Sequence, residues 1–227
     1  MSEETVGPVI QPDSSQESEA CPECTRGMGS EHEVEDRVLT NEELYEMLCE
    51  GRIAEFNAYH DRHLDQEIDF SEKNLEGANF EGADLRRLHL ERANLKGASL
   101  RKAYLSGAYL QGADLEGAHL ERAVAASVWF MKANLEGAHF EGAKLMGSKF
   151  GNAWLMRANF EGADLVGADF TEANLIRVVF READLENAKI HTHSLLGITW
   201  DRSVGVPLAV YELSESLTRR SITFAEE

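Results

Sequence analysis

From Phe70 to Trp200 every fifth residue is large and apolar, with Ala125 the one exception among twenty-seven positions. Alanine sits two residues before most of them, as at Ala78, Ala83, Ala93 and Ala98. Glycine often sits two residues after, as at Gly77, Gly82 and Gly97. A period of five matches neither an α-helix nor a strand, and on a helix such residues would spiral around the axis without sharing a face. A repeating turn satisfies the pattern. Five residues make one side of a polygonal coil, with the large residue and the small one both pointing inward. Stacking coil on coil pairs backbone groups between neighbours, as in a β-helix.

The identity of the large residue predicts the number of sides. Odd multiples of five from 75 to 195 are all Leu except Ala125, whereas the phenylalanines (70, 80, 130, 140, 150, 160, 170 and 180) fall only on even multiples. A pattern of period ten requires an even number of sides, with two opposite sides stacking Phe and two stacking Leu. Four sides give twenty residues per coil and a tower about 30 Å tall at the usual inter-strand spacing.

The flanks follow other rules. Thr40 and Glu43 form a capping-box pattern, Leu44, Met47 and Leu48 recur at helical spacing, and Gly51 ends the element. A second short helix is expected over 52–62, with Ile53 and Phe56 on its apolar face. After Pro207, Leu208 to Leu213 continues toward Leu217 at helical spacing. The resulting division is an acidic disordered tail over 1–37, a helical cap over 38–64, a β-helix over 65–201, and a C-terminal helix and tail over 202–227. The C-terminal helix is expected to fold back over an apolar strip (Met156, Ile176, Leu196) or over the open end of the coil. Otherwise it pairs two copies as a homodimer.

Units such as Ala83-Asp84-Leu85-Arg86-Arg87 and Ala163-Asp164-Leu165-Val166-Gly167 resemble the A-(D/N)-L-x-x repeat of the pentapeptide-repeat family over about residues 68–200. The resemblance implies an all-β solenoid, the right-handed quadrilateral β-helix of that family. It also implies a binding role, because the best-understood members resemble duplex DNA and bind DNA gyrase and related topoisomerases. A topoisomerase therefore enters as a candidate partner.

Charge moves that reading to second place. The net charge is −19, but residues 65–200 carry twenty acids and fifteen bases, whereas residues 1–38 carry ten acids and two bases. The tower is thus nearly balanced. The unbroken five-residue register also leaves no inserted loop. Nonspecific nucleic-acid binding is disfavoured, because no basic surface is available to displace phosphate counterions. The chain has no apolar run of transmembrane length. Its first twenty residues are acidic and polar, unlike a secretory signal. Three cysteines fit a reducing cytoplasm.

Candidate chemistry is sparse. Cys21-Pro22-Glu23-Cys24 is half a zinc site, and neither Cys49 nor His32 completes it at standard spacing. His191 and His193 lie near Asp201 but lack a suitably spaced third ligand. No nucleophile–base pair or phosphate loop is present, so no catalytic residue, cofactor or metal is expected.

With twenty residues per coil, i and i+20 lie one above the other. The position before each central residue is usually Asp or Asn, which can bond local backbone. In the middle coils larger groups replace it: Tyr104, Tyr109, Trp129 and Trp154, with His119 directly below His139. These six residues form an aromatic and cationic belt suited to an unidentified protein partner. The belt coincides with Ala125, where a cavity would form unless Val128 or a bulge fills it.

Overall fold

The computed structural model describes residues 37–192, 194–206, 210 and 213–215. The expected acidic tail with Cys21, Cys24 and His32, as well as His193 and most of the C-terminal segment, lies outside these residues.

Helix α1 spans Asn41–Cys49 and helix α2 spans Ile53–Arg62. Thr40 caps α1, and its hydroxyl accepts from the Glu43 N–H at 3.3 Å while the Glu43 carboxylate accepts from the Thr40 N–H at 2.9 Å. The Thr40 backbone bond, with the Arg37 guanidinium, holds the Glu43 carboxyl down to about 2. A short network joins the start of the described chain to α2 and to the entry of the tower. The Leu39 N–H donates to the Tyr59 hydroxyl (2.7 Å), that hydroxyl donates to Gln66 Oε1 (2.5 Å), and the Gln66 amide donates to the Leu39 carbonyl (2.8 Å).

Beyond residue 68 the chain winds in coils of twenty residues. Asp69 pairs in parallel with His89, His89 with Tyr109, and Tyr109 with Trp129. Four faces result, named here by their interior residue: face 1 (Phe70 to Ile190), face 2 (Leu75 to Leu195), face 3 (Phe80 to Trp200) and face 4 (Leu85 to Leu185). Each corner is a β-turn, as where the Ala83 N–H donates to the Phe80 carbonyl at 3.0 Å. The third turn residue is left-handed at every corner from 72 to 187, whether glycine (Gly82, φ 71°) or not (Arg122, φ 58°). A type II turn requires this conformation, and glycine marks it in the sequence only at some corners.

The interior follows the parity of the sequence. Phe130, Phe150 and Phe170 stack on face 1 with centroids 5.0 and 4.8 Å apart. Phe140, Phe160, Phe180 and Trp200 stack on face 3 at 4.6, 5.3 and 5.1 Å. The two stacks interlock edge to face, as at Phe140–Phe150 (6.1 Å). Offset stacks and edge-to-face contacts both suit the ring quadrupole.

The stretch around Ala125 keeps the register: Val124 bridges both Tyr104 and Lys144, and Val128 is fully buried. What changes is the corner. The Ser148 hydroxyl, buried one coil further on, donates to the Ala125 carbonyl at 2.7 Å and accepts from the Val128 N–H at 3.2 Å. It thus bridges the two groups that elsewhere bond directly across the turn, and it explains a polar side chain at an interior position.

The helices also meet the open edge of the first coil. Within the tower each bridging residue accepts an N–H from the preceding coil on its carbonyl, as Asn94 does from Leu75, and donates its own N–H to that coil, as Tyr104 does to Ala83, and the first coil has no such neighbour. The Tyr45 hydroxyl donates to the Asn74 carbonyl (2.9 Å), and Asn57 accepts from the Asp84 N–H (2.7 Å) while donating to the Gly82 carbonyl (2.9 Å). At the other end, the pairing changes at Thr192. There the Thr192 hydroxyl rather than a backbone N–H reaches the Ala173 carbonyl (2.6 Å). Gly205 is required where the chain crosses the last coil, because a Cβ would collide with the Leu185 and Glu186 backbone. Val210 and 213–215 are helical, and Trp200 Nε1 donates to the Ser214 hydroxyl at 2.8 Å.

Candidate functional site

The bridge position on each face is set by the repeat. Where it is Asp or Asn, the side chain accepts from the N–H two residues on, as Asp69 does from Ser71 (2.8 Å) and Asn134 from Glu136 (3.2 Å). The six residues singled out from sequence stand at this position and lack that local bond. The structure distributes them over all four faces: Tyr104 on face 4, Tyr109 and Trp129 on face 1, Trp154 on face 2, and His119 with His139 on face 3. One flat partner surface cannot touch them all.

Two groupings emerge. On face 1, His89 and Tyr109 stack with centroids 4.6 Å apart, and Trp129 continues the column at 6.0 Å, tilted 43°. Trp129 is 41% exposed, and Tyr104, around the corner on face 4, is 48% exposed. Met146 lies exposed at the same corner, above Ala126. Trp154, although 65% exposed, lies across the opposite corner.

Charge separates the halves of the middle coils. Residues 104–113, 124–133 and 144–153 make up faces 4 and 1 over three coils and contain no carboxylate, in a chain with 41 acids. Their only charged residues are Lys132, Lys144 and Lys149. Among the described residues none of these lysines is in an ion pair, unlike Lys96, which meets Glu116 at 3.0 Å, or Lys102, which meets Glu81 at 2.8 Å. The opposite half (114–123, 134–143, 154–163) carries six acids and two arginines.

The second grouping is on face 3. The rings of His119 and His139 stack with centroids 4.8 Å apart and planes 9° from parallel. Each Nδ1 lies 3.1 Å from the carboxylate two residues on, Glu121 and Glu141 respectively. The Arg101 guanidinium contacts Glu121 Oε1 (2.9 Å) and His119 Nδ1 (3.1 Å). The second oxygens of Glu121 and Glu141 are buried without a hydrogen-bond partner. Burial pushes the Glu121 carboxyl up, but bonds from Arg101, its own backbone and His119 outweigh it and bring it down to about 2. The sequence reading missed the two glutamates. The His-x-Glu spacing at 119–121 and 139–141, repeated at His89 and Glu91, was the available signal.

The profile described as pentapeptide repeats matches eight copies, over residues 66–101, 103–128, 130–162 and 153–191, together more than half the chain. The chain belongs to the pentapeptide-repeat family. Membership implies the right-handed quadrilateral β-helix, in accord with the four faces and the twenty-residue coils. Among solved structures, a pentapeptide-repeat protein, Rfr23, from the cyanobacterium Cyanothece 51142 is 26% identical, covering 65% of this chain and 99% of its own, with a TM-score of 0.34. HetL from Nostoc sp. strain PCC 7120, a protein involved in heterocyst differentiation regulation, is 23% identical, covering 64% and 93%, with a TM-score of 0.29. Full-length QnrB1, a plasmid-mediated fluoroquinolone resistance protein, is 22% identical, covering 66% and 84%, with a TM-score of 0.30. No curated protein matches significantly. Among the described residues no helix is long and apolar enough to cross a membrane.

Proposed function

We propose that this chain is a non-enzymatic protein-binding or scaffold module of the cytoplasm, and that it binds through the acid-free half of its three middle coils. The observation that carries this reading is the absence of carboxylates from residues 104–113, 124–133 and 144–153, where Tyr104, Tyr109 and Trp129 are displayed beside Lys144 and Lys149. Aromatic anchors at the centre of a patch supply most of the binding energy at protein interfaces, and charge complementarity supplies orientation and rate. The fitting partner is an acidic protein surface with apolar side chains to cover the rings. Helices α1 and α2 cap the first coil, and the C-terminal helix closes the last one, the Trp200–Ser214 bond supporting closure over its own coil rather than a homodimer. Both ends of the sheet edge are thereby protected from pairing with other chains.

Affinity capture with wild type, a Tyr109→Ala/Trp129→Ala double variant and Trp154→Ala tests the surface. The double variant is expected to weaken the captured partner at least about tenfold, as for loss of an interface hot spot, and to melt as wild type does. Trp154→Ala is expected to retain the partner. Equal capture by all three overturns the assignment.

The second reading is DNA mimicry toward a topoisomerase, favoured by the column of Glu121, Glu141 and Glu161 at the corner of faces 3 and 4. It ranks second because Arg101 pairs with Glu121 at 2.9 Å and Arg181 lies 3.9 Å from Glu161, which breaks up the negative strip. A gyrase supercoiling assay with and without quinolone decides it. No effect at micromolar protein ends this reading.

A further inference from the structure

We propose that His119, Glu121 and His139 form a binding site for a borderline divalent metal ion of the zinc or nickel kind on face 3, away from the protein-binding half. Each of the three residues offers one ligand atom, and all three atoms lie within 4.8 Å of one another. A common point therefore exists no more than about 2.8 Å from each. Reaching the usual zinc–nitrogen and zinc–oxygen lengths of about 2.0–2.2 Å takes shifts of less than about 1 Å. Imidazole and carboxylate together suit such ions better than calcium or magnesium, which prefer all-oxygen shells.

Three further observations point to a cation at this place. The two imidazoles are on successive coils of one rigid ladder, so their separation is set by backbone hydrogen bonds such as His139 N–H to the Ala118 carbonyl at 2.9 Å. Glu121 and Glu141 each bury one oxygen with no hydrogen donor, which is costly unless a cation or water satisfies it. And a cation already stands there: the Arg101 guanidinium touches both His119 Nδ1 and Glu121 Oε1. His119 Nδ1 cannot both accept from Arg101 and donate to Glu121. A metal ion resolves that conflict by taking the nitrogen lone pair and the carboxylate together while Arg101 swings into solvent, where 45% of its side chain already lies. The parallel rings must splay for their lone pairs to converge, so metal binding breaks the stack.

The test is calorimetric titration of the full chain carrying Cys21→Ser and Cys24→Ser, which removes the thiol pair as a competing ligand, with zinc chloride or nickel chloride in a non-chelating buffer. One site of micromolar affinity is expected. It should weaken at least tenfold in His119→Gln or His139→Gln and tighten severalfold in Arg101→Gln. The imidazole proton resonances of both histidines should shift on titration. A titration unchanged in the His119→Gln/His139→Gln double variant, or no binding up to millimolar metal, overturns the site. Unchanged affinity in Arg101→Gln overturns this ligand set.

Discussion

Replacing Phe150 by alanine is expected to destabilise the tower by about 3–5 kcal/mol, the upper range for a buried aromatic. Phe150 is fully buried and touches four other rings. It stacks on Phe130 at 5.0 Å and Phe170 at 4.8 Å, and meets Phe140 at 6.1 Å and Phe160 at 5.7 Å edge to face. The gap cannot close easily, because the spacing of coils is held by backbone bonds such as Phe150 N–H to the Asp169 carbonyl at 2.7 Å. A cavity that cannot collapse forfeits packing as well as transfer energy. Phe80→Ala is the comparison: it is equally buried but has Leu100 above it on face 3. Its loss should be smaller by about 0.5–1.5 kcal/mol, the order of a ring-pair contribution beyond area burial. Chemical denaturation followed by circular dichroism measures both. Equal losses would show that ring stacking adds nothing beyond apolar burial.

The second large effect is at Asp84, where α2 meets the tower. Its side chain is only 6% exposed. Arg86 Nε donates to it at 2.7 Å, Arg86 Nη2 also donates, and His60 Nδ1 lies 3.3 Å away. Burial pushes the carboxyl up, but the Arg86 bonds, with the His60 ring beside it, pull it down by more, and it ends well below the usual carboxylate range. A folded-state value below the unfolded one means that the stabilisation is complete above the unfolded value, near about 4, and is lost as pH falls through the folded value. Asp84→Asn is therefore expected to cost about 1.5–3 kcal/mol at neutral pH, the range for hydrogen bonds to charged groups. The gap to wild type should narrow steadily below pH of about 4. Denaturation at pH 7 and at pH 3 checks it. A gap that stays constant between them would show that the carboxylate charge at Asp84 is not what holds the site.

Much of the tower could be read from residue identity because the repeat is strict. A five-residue period with inward Leu or Phe calls for a repeating turn, and the Phe parity excludes a three-sided coil. The Phe130–Phe150–Phe170 and Phe140–Phe160–Phe180 stacks are that parity in three dimensions. The capping box at Thr40 and Glu43 was legible for a similar reason, since its bonds are local. The left-handed corner residues were half legible. Glycine announces the conformation at Gly82, but Arg122 adopts it under the constraint of its neighbours. The role of Ser148 was hidden, because its partners Ala125 and Val128 belong to the preceding coil.

The candidate surface divides along the same line. Residue identity and the five-residue period are enough to give the coil, its even number of sides, its nearly balanced charge and the columns in which Tyr109, Trp129, His119 and His139 stand, because a fixed period maps position onto face. How the side chains in those columns meet one another emerges in the folded chain. The tertiary structure separated the six aromatic and histidine residues onto four faces, turned His119 and His139 toward Glu121 and Glu141, and set Lys144 and Lys149 near Trp129 with no ion pair among the described residues. Side-chain direction and cross-coil pairing depend on contacts between residues about twenty positions apart, and local sequence does not encode those contacts.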